Sequence, residues 1–441
     1  MQHINVIGGG LAGCEAANLI ANSGIKVKLW EMRPNINTPA HTTSYLAELV
    51  CSNSLKSELP DTAQGLLKTE MRILNSLLLE EAELARVPAG AALAVDREVF
   101  AKLVTDRINN NTLIELIREE AVTINEDEIY VIATGPLTSE KFTKVISELT
   151  LENNLAFFDA IAPSVTYDSI DKDIIFRASR YNKGTDDYLN CPFTKDEYDR
   201  FYDALVKADT LTPHNIDQDL DKQYFNACMP IEVMAEKGRD TLRYGPMRPV
   251  GLKDGRYEEV PYAVLQLRQE DKAGHIWGLV GFQTRLRFGD QDKVLRLIPG
   301  LANAEFVRYG VMHRNTYINS PSVLNNTLQM KKYPHIFFAG QITGVEGYME
   351  SAATGIIAGL NALRYYKNQS LVVPDKDTMI GALLDFITTS NPANFQPMNA
   401  NFGILPPLSK KIKNKKLRYS HYAKRANTSL QKFSELFRKQ L

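Results

Sequence analysis

Two sets of residues in this 441-residue chain have the types and spacing for chemistry. The first is a glycine run. Gly8, Gly10 and Gly13 fit G-x-G-x-x-G within "INVIGGGLAGCEAA", with Gly9, Leu11 and Ala12 between them. Glu31 follows 18 residues after Gly13. In such a run the first glycine permits a tight turn. The second lets the backbone approach a pyrophosphate, and the third lets helix and strand pack closely. The helix N-terminus offers unpaired N–H groups and the positive end of a dipole to phosphates. Glu31, ending the next strand, is placed to accept a ribose hydroxyl. The pattern calls for a dinucleotide but does not separate FAD from NAD.

The second set is the thiols Cys14, Cys51, Cys191 and Cys228. None pair at C-x-x-C spacing, so no metal site is expected. Few, scattered cysteines fit a reducing cytoplasm. Cys14, beside Gly13, reads as packing, and Cys191, before Pro192, as structural. Cys51 lies in "LAELVCSNSLKSE" and Cys228 in "FNACMPIEVMAEKG". Taken singly, each fits a quiet loop or a buried small hydrophobe. A cysteine is a nucleophile only where its surroundings favour the thiolate.

These residues need elements to hold them. "INVI" reads as a strand, "LAGCEAANLIANSG" as a helix stopped at Gly24, and "KVKLWEM" as a strand, which makes a β-α-β unit. A second helical segment is predicted near Leu66 to Ala85, and "IYVIATGP" (129–136) as a buried strand. The middle of the chain is richer in Tyr, Asp, Arg and Pro. It reads as an inserted α+β domain with turns at Lys253–Gly255 and Lys272–Gly274. From 335 the α/β pattern returns. "HIFFAG" is a strand and "YMESAATGIIAGLNALRYY" a helix, with Gly340, Gln341, Gly344 and Gly347 between them. That second strand–turn–helix unit aims another helix N-terminus at the cofactor domain. With no second G-x-G-x-x-G, one bound FAD is expected. The fold class expected is α/β, a Rossmann-like FAD-binding domain of the two-dinucleotide-fold flavoprotein type. Its parts are 1–180 and 301–408, split by the inserted α+β domain at 181–300 and followed by a basic helical tail at 409–441.

The net charge is −1, unevenly placed. From Lys410 to Leu441 there are eleven Lys/Arg and one acid, Glu435, so this segment is +10 and the rest −11. Such asymmetry points to a polyanion docking near the C-terminus or to a solvated helix face. No apolar run approaches the ~20 residues of a membrane helix, and "MQHINVIGGG" lacks the features of a signal peptide. A cytoplasmic protein is expected.

Nine stretches occur together and in order: "VIGGGLAGCEAA", "ELVCSNSLKSE", "VIATGPLTS", "LNCPFTKDEY", "FNACMPIEVMAEKG", "LRYGPMRPVGL", "FVRYGVMHRNTYINSP", "FFAGQITGVEGYMESAATG" and "NFGILPPL". They closely resemble the folate- and FAD-dependent tRNA (uracil-5-)-methyltransferases over nearly the whole chain. A more distant resemblance is to the large flavoprotein subunit of the tRNA wobble-uridine carboxymethylaminomethyl enzyme, which is longer. The first resemblance implies methylation of carbon 5 of a T-loop uridine in tRNA. Methylenetetrahydrofolate would be the carbon donor, bound FAD the redox group and NAD(P)H the reductant. No S-adenosylmethionine and no obligatory protein partner are implied. It further implies that Cys228 is the nucleophile and Cys51 the base or flavin-contacting thiol, with the reverse assignment open. His313 would cover the pterin of the folate. Some family members act on ribosomal RNA, and an RNA-folding flavoprotein with little turnover is a further alternative.

Overall fold

The computed structural model describes residues 2–438 apart from 39, 152–154, 161, 183–184, 211–228, 256–259, 311 and 411; at 155–160, 182 and 312–315 it describes the backbone alone. Its central sheet has five parallel strands. Their order is Ile336–Phe338, Tyr130–Ile132, β1 (His3–Ile7), β2 (Lys26–Trp30) and Ile114–Ile117. Ile4, Val6, Val27, Leu29, Val131, Ile336 and Phe337 are buried, the apolar run that a sheet covered on both faces requires. First and last thirds of the chain therefore share one sheet, as the Rossmann-like class requires.

Small residues let two helices meet on this sheet. α1 (Leu11–Asn22) lies against the Tyr348–Tyr366 helix. A Cβ at Gly355 would sit 2.2 Å from the Ala12 carbonyl oxygen, and one at Gly359 would sit 2.8 Å from the Ala16 Cα. Only glycine permits backbones so close.

A second, antiparallel sheet follows the order Phe176–Arg177, Tyr188–Phe193, Ala263–Gln269, Ile276–Leu279, Ser164–Thr166 and Phe306–Arg308. Gly274, at φ +75°, turns the hairpin at the expected place. The Lys195–Lys207 helix starts in a capping box, Thr194 with Glu197, and buries Tyr198 and Phe201 against Phe193 and Phe282. Three strands of this sheet lie outside 181–300, two before it and one after.

The segment from Leu66 to Ala85, predicted as one helix, is two: Ala63–Ile73 and Leu77–Leu84. Asn75 turns left-handed at φ +55°, and Ser76 caps the second helix. The buried carboxyl of Glu15 accepts the N–H groups of Leu77 and Leu78 at 3.1 Å each, so a side chain on α1 caps the second helix and holds the break open. Glu70 caps another helix in the same way. Its two oxygens accept the N–H groups of Met379 (2.7 Å) and Ile380 (2.9 Å).

Burial pushes the Glu70 carboxyl up to about 8 and that of Glu15 up to about 7, against the pull of these N–H groups. A carboxyl whose pKa is raised on folding binds protons more tightly when folded. Its contribution to stability is therefore complete below the ordinary carboxylate range and is lost as pH rises through the folded value. The melting temperature should fall between pH 5 and pH 8, and Glu70→Gln should flatten part of that slope. A thermal melt series across this range checks it, and an unchanged slope in the variant refutes it.

Candidate functional site: a nucleotide cleft joined to a thiol cavity

The glycine turn after β1 opens the first cleft. Gly8 takes φ +106°, and a Cβ there would lie 2.5 Å from the Ala133 carbonyl oxygen. A Cβ at Gly13 would lie 1.8 Å from the Gly8 carbonyl oxygen, so strand and helix touch through this residue. Gly10 is different. Nothing lies within 4 Å of its absent Cβ, and it caps α1 with no side-chain hydrogen bond. The first turn of α1 thus keeps N–H groups for a ligand.

Glu31 stands at the end of β2 and lines the same cleft. One carboxylate oxygen accepts the Gly9 N–H at 2.9 Å. The other accepts the backbone N–H (3.0 Å) and Nε (2.9 Å) of Arg33. Burial alone would raise its pKa; the Arg33 guanidinium and these N–H groups outweigh burial and hold it below the usual carboxylate range. It is an anionic acceptor at neutral pH, the state a ribose hydroxyl needs.

The cleft has Gly8, Gly10, Leu11 and Ala12 on one wall and Gly340, Gln341, Tyr348 and Ser351 on the other. Gly9 and Gly13 do not line it and serve the turn and the helix contact. Gly344, at φ +84°, packs on the ring of Phe395. Gly347, at φ +123°, lines the next cavity. The open glycine turn, uncapped helix and ionised acid fit a dinucleotide such as FAD.

That next cavity is lined by Cys51, Ser52, Lys56, Arg268, Glu270 and Glu350 among others. Val50, Pro136, Leu137, Gln341 and Tyr348 line both spaces, so they adjoin. Cys51 is half-buried. Its backbone N–H donates to the Tyr348 hydroxyl at 2.8 Å, and the Ser52 N–H donates to the same oxygen at 3.1 Å. Burial raises the Tyr348 pKa, so its hydroxyl stays protonated.

Arg268 ties this loop to the second sheet. It donates to Ser52 Oγ and Asn53 Oδ1, both at 2.8 Å, while Asn53 donates to the Gln269 carbonyl at 2.8 Å. Beside it Glu270 is buried and pairs with Arg97 (2.8 Å) and Arg308 (3.2 Å). Burial would raise the Glu270 pKa; the guanidinium groups of Arg97, Arg308 and Arg268 reverse that and keep it ionised. Three guanidinium groups thus surround this one carboxylate, and of them Arg268 lines the cavity.

Cys14 and Cys191 are packing groups. Cys14 is buried behind the glycine turn with its thiol on the Gly9 carbonyl at 3.4 Å, and burial pushes its pKa up. Cys191 is buried in the second sheet, with its pKa raised for the same reason. Cys228 lies outside the described residues. So does the side chain of His313, whose backbone pairs opposite Asp159 in the Met312–Tyr317 strand. Among the described residues no group of three or more His, Cys, Asp or Glu is arranged to hold a metal.

Tyr348, Arg268 and Glu270 escaped the sequence reading. A signal existed for two of them. In "AVLQLRQE" the apolar residues alternate with Gln266, Arg268 and Glu270, which puts a charged pair on one face of a strand.

Fold and site together define a dinucleotide-binding α/β protein of the flavoprotein kind. The family model described as Glucose inhibited division protein A matches residues 3–370. A Syntrophomonas wolfei protein named Methylenetetrahydrofolate--tRNA-(uracil-5-)-methyltransferase TrmFO is 62% identical over 435 residues, 99% of each chain. The Bacillus subtilis protein of that name is 53% identical over 434 residues, 98% of this chain and 99% of its own. The chain belongs to the Glucose inhibited division protein A family and, within it, to the TrmFO group. The crystal structure of Aquifex aeolicus GidA (form I) matches with a TM-score of 0.71 at 17% identity, covering 99% of this chain and 76% of that one, and supports the fold. No helix among the described residues is long and apolar enough to cross a membrane.

Proposed function

We propose that this protein methylates carbon 5 of a uridine in tRNA, with methylenetetrahydrofolate as carbon donor, FAD in the glycine-walled cleft and NAD(P)H as reductant. The observation that carries this reading is the junction of the two spaces at Tyr348 and Gln341, which sets the Cys51 cavity against a dinucleotide cleft. The names of full-length relatives supply the substrate class.

Carbon 5 of uracil is a poor nucleophile until a thiolate adds at carbon 6. The activated carbon 5 takes up the methylene group of methylenetetrahydrofolate, a base removes the carbon 5 proton as tetrahydrofolate leaves, and after reduction of the methylene the thiolate is expelled from carbon 6. FAD held in the glycine-walled cleft would, when reduced, supply the reducing equivalents that turn methylene into methyl. Cys228 is assigned the addition at carbon 6 and Cys51 the proton removal. Gly8, Gly10, Leu11, Ala12, Gly340 and Gln341 would hold the cofactor, with Glu31 on its ribose. His313 is assigned to the pterin. Such an enzyme works where tRNA is processed, in the cytoplasm.

The test is direct. The purified protein is incubated with unmodified tRNA and, separately, with ribosomal RNA, adding methylenetetrahydrofolate and NAD(P)H. 5-Methyluridine in the tRNA T-loop is the expected product. A requirement for S-adenosylmethionine overturns the reading; modification of ribosomal RNA alone overturns the substrate, and RNA refolding without methyl transfer overturns the chemistry.

A further inference from the structure

The C-terminal helix, Lys415–Arg438, packs by an apolar stripe of Ala423, Ala426, Leu430, Phe433 and Phe437. Its other face is basic. Lys416, Lys424 and Lys432 are exposed, as are Lys410 and Lys413 just before it. Among the described residues none of these five has a carboxylate within ion-pair distance, and Glu435 is the sole acid of the segment. Some exposed lysines elsewhere are paired: Lys102 with Asp106 (2.5 Å), Lys141 with Glu120 (3.1 Å), Lys195 with Asp199 (2.6 Å) and Lys293 with Asp290 (3.2 Å); what sets the tail apart is the clustering of its bare lysines with a single acid among them. Arg425 is structural, holding the carbonyls of Pro406 (2.7 Å) and Pro407 (3.1 Å).

A short run of contacts links this helix to the thiol cavity. Tyr419 and Tyr422 stack on Phe402, with ring centres 4.3 and 5.7 Å apart. Two residues earlier, the Ala400 N–H donates to Glu350 at 3.0 Å and its carbonyl accepts from Gln64 at 2.9 Å. Glu350 and Gln64 both line the cavity that holds Cys51.

We infer that the outward face of this helix, with Lys410 and Lys413, is the docking surface for the phosphate backbone of the substrate RNA; this rests on the proposed function. Unpaired ammonium groups suit a polyanion, because phosphates then displace only counterions and water. Phosphate contacts fix register without reading sequence. They would hold the RNA while one uridine leaves its stack for the cavity.

The test uses the full chain and an unmodified tRNA transcript, with affinity measured against potassium chloride concentration. One variant carries Lys413→Gln, Lys416→Gln, Lys424→Gln and Lys432→Gln. Glutamine keeps helix propensity, and a thermal melt reports the fold. Each lost phosphate contact lowers the slope of log affinity against log salt by about 1, so a fall of about 3 to 4 is expected. The KM for tRNA rises while kcat stays near native. A control variant, Lys102→Gln, Lys141→Gln, Lys195→Gln and Lys293→Gln, loses the same charge from paired sites and should keep the native slope. An unchanged slope in the tail variant, or an equal fall in the control, overturns the inference. So does native protein that binds anionic phosphatidylglycerol vesicles in preference to tRNA. Native protein that binds tRNA but forms no 5-methyluridine overturns the proposed function instead, and leaves the binding comparison readable.

Discussion

Alanine at Cys51 lowers the single-turnover rate of 5-methyluridine formation by about 10²-fold or more, the lower end of what a positioned proton acceptor contributes. Affinity for tRNA stays near native. The reason lies in how the loop is held. Cys51 is fixed through its backbone N–H on Tyr348, and its neighbours through Arg268. The thiol is half-buried on a cavity wall, so its removal leaves little unfilled core. A thermal melt of the variant separates a loss of chemistry from a loss of fold. Serine at the same position keeps the volume but has a far weaker acid, and should be nearly as slow. A Cys51→Ala enzyme within a few-fold of native would make the residue part of the wall and nothing more.

Gly13→Ala should cost both stability and cofactor. The new methyl group would lie 1.8 Å from the Gly8 carbonyl oxygen and 3.0 Å from its carbonyl carbon. Both obstacles are backbone, so no side chain can swing aside. Either α1 moves off β1 or the turn opens. Overpacking of this kind costs about 1–3 kcal/mol, and the helix N-terminus is displaced from the phosphates it would hold. Urea unfolding midpoints and the flavin absorbance retained after purification measure the two effects. Gly10→Ala is the matched comparison, since nothing lies within 4 Å of its absent Cβ; it should spare the fold and act on the cofactor alone. A Gly13→Ala protein as stable and as yellow as native would refute the close contact.

The central sheet was legible because burial on both faces forces short apolar strands, and "INVI", "IYVI" and "HIFF" show them plainly. The glycine turn was legible because its steric demand is local. The break at Asn75–Ser76 was not, since the carboxyl that caps it belongs to Glu15, on another helix. The outer strands Ser164–Thr166 and Phe306–Arg308 are three residues each, too short for alternation to register. Of the site, the cleft was visible in the spacing of glycines. The hold on Cys51 was not, because Arg268 and Tyr348 gain their roles only when distant segments meet.

The contact of α1 with the Tyr348–Tyr366 helix sets an order of events during synthesis. A nascent chain that has emerged as far as the second sheet owns the glycine turn and Glu31 but lacks the facing wall. Gly340, Gln341 and Tyr348 arrive late, and the glycines that let the two helices close, Gly355 and Gly359, arrive later still. The cleft therefore comes into being only when most of the chain has left the ribosome. Until then α1 carries an uncovered stripe of alanines, and a dinucleotide meeting the chain finds half a site.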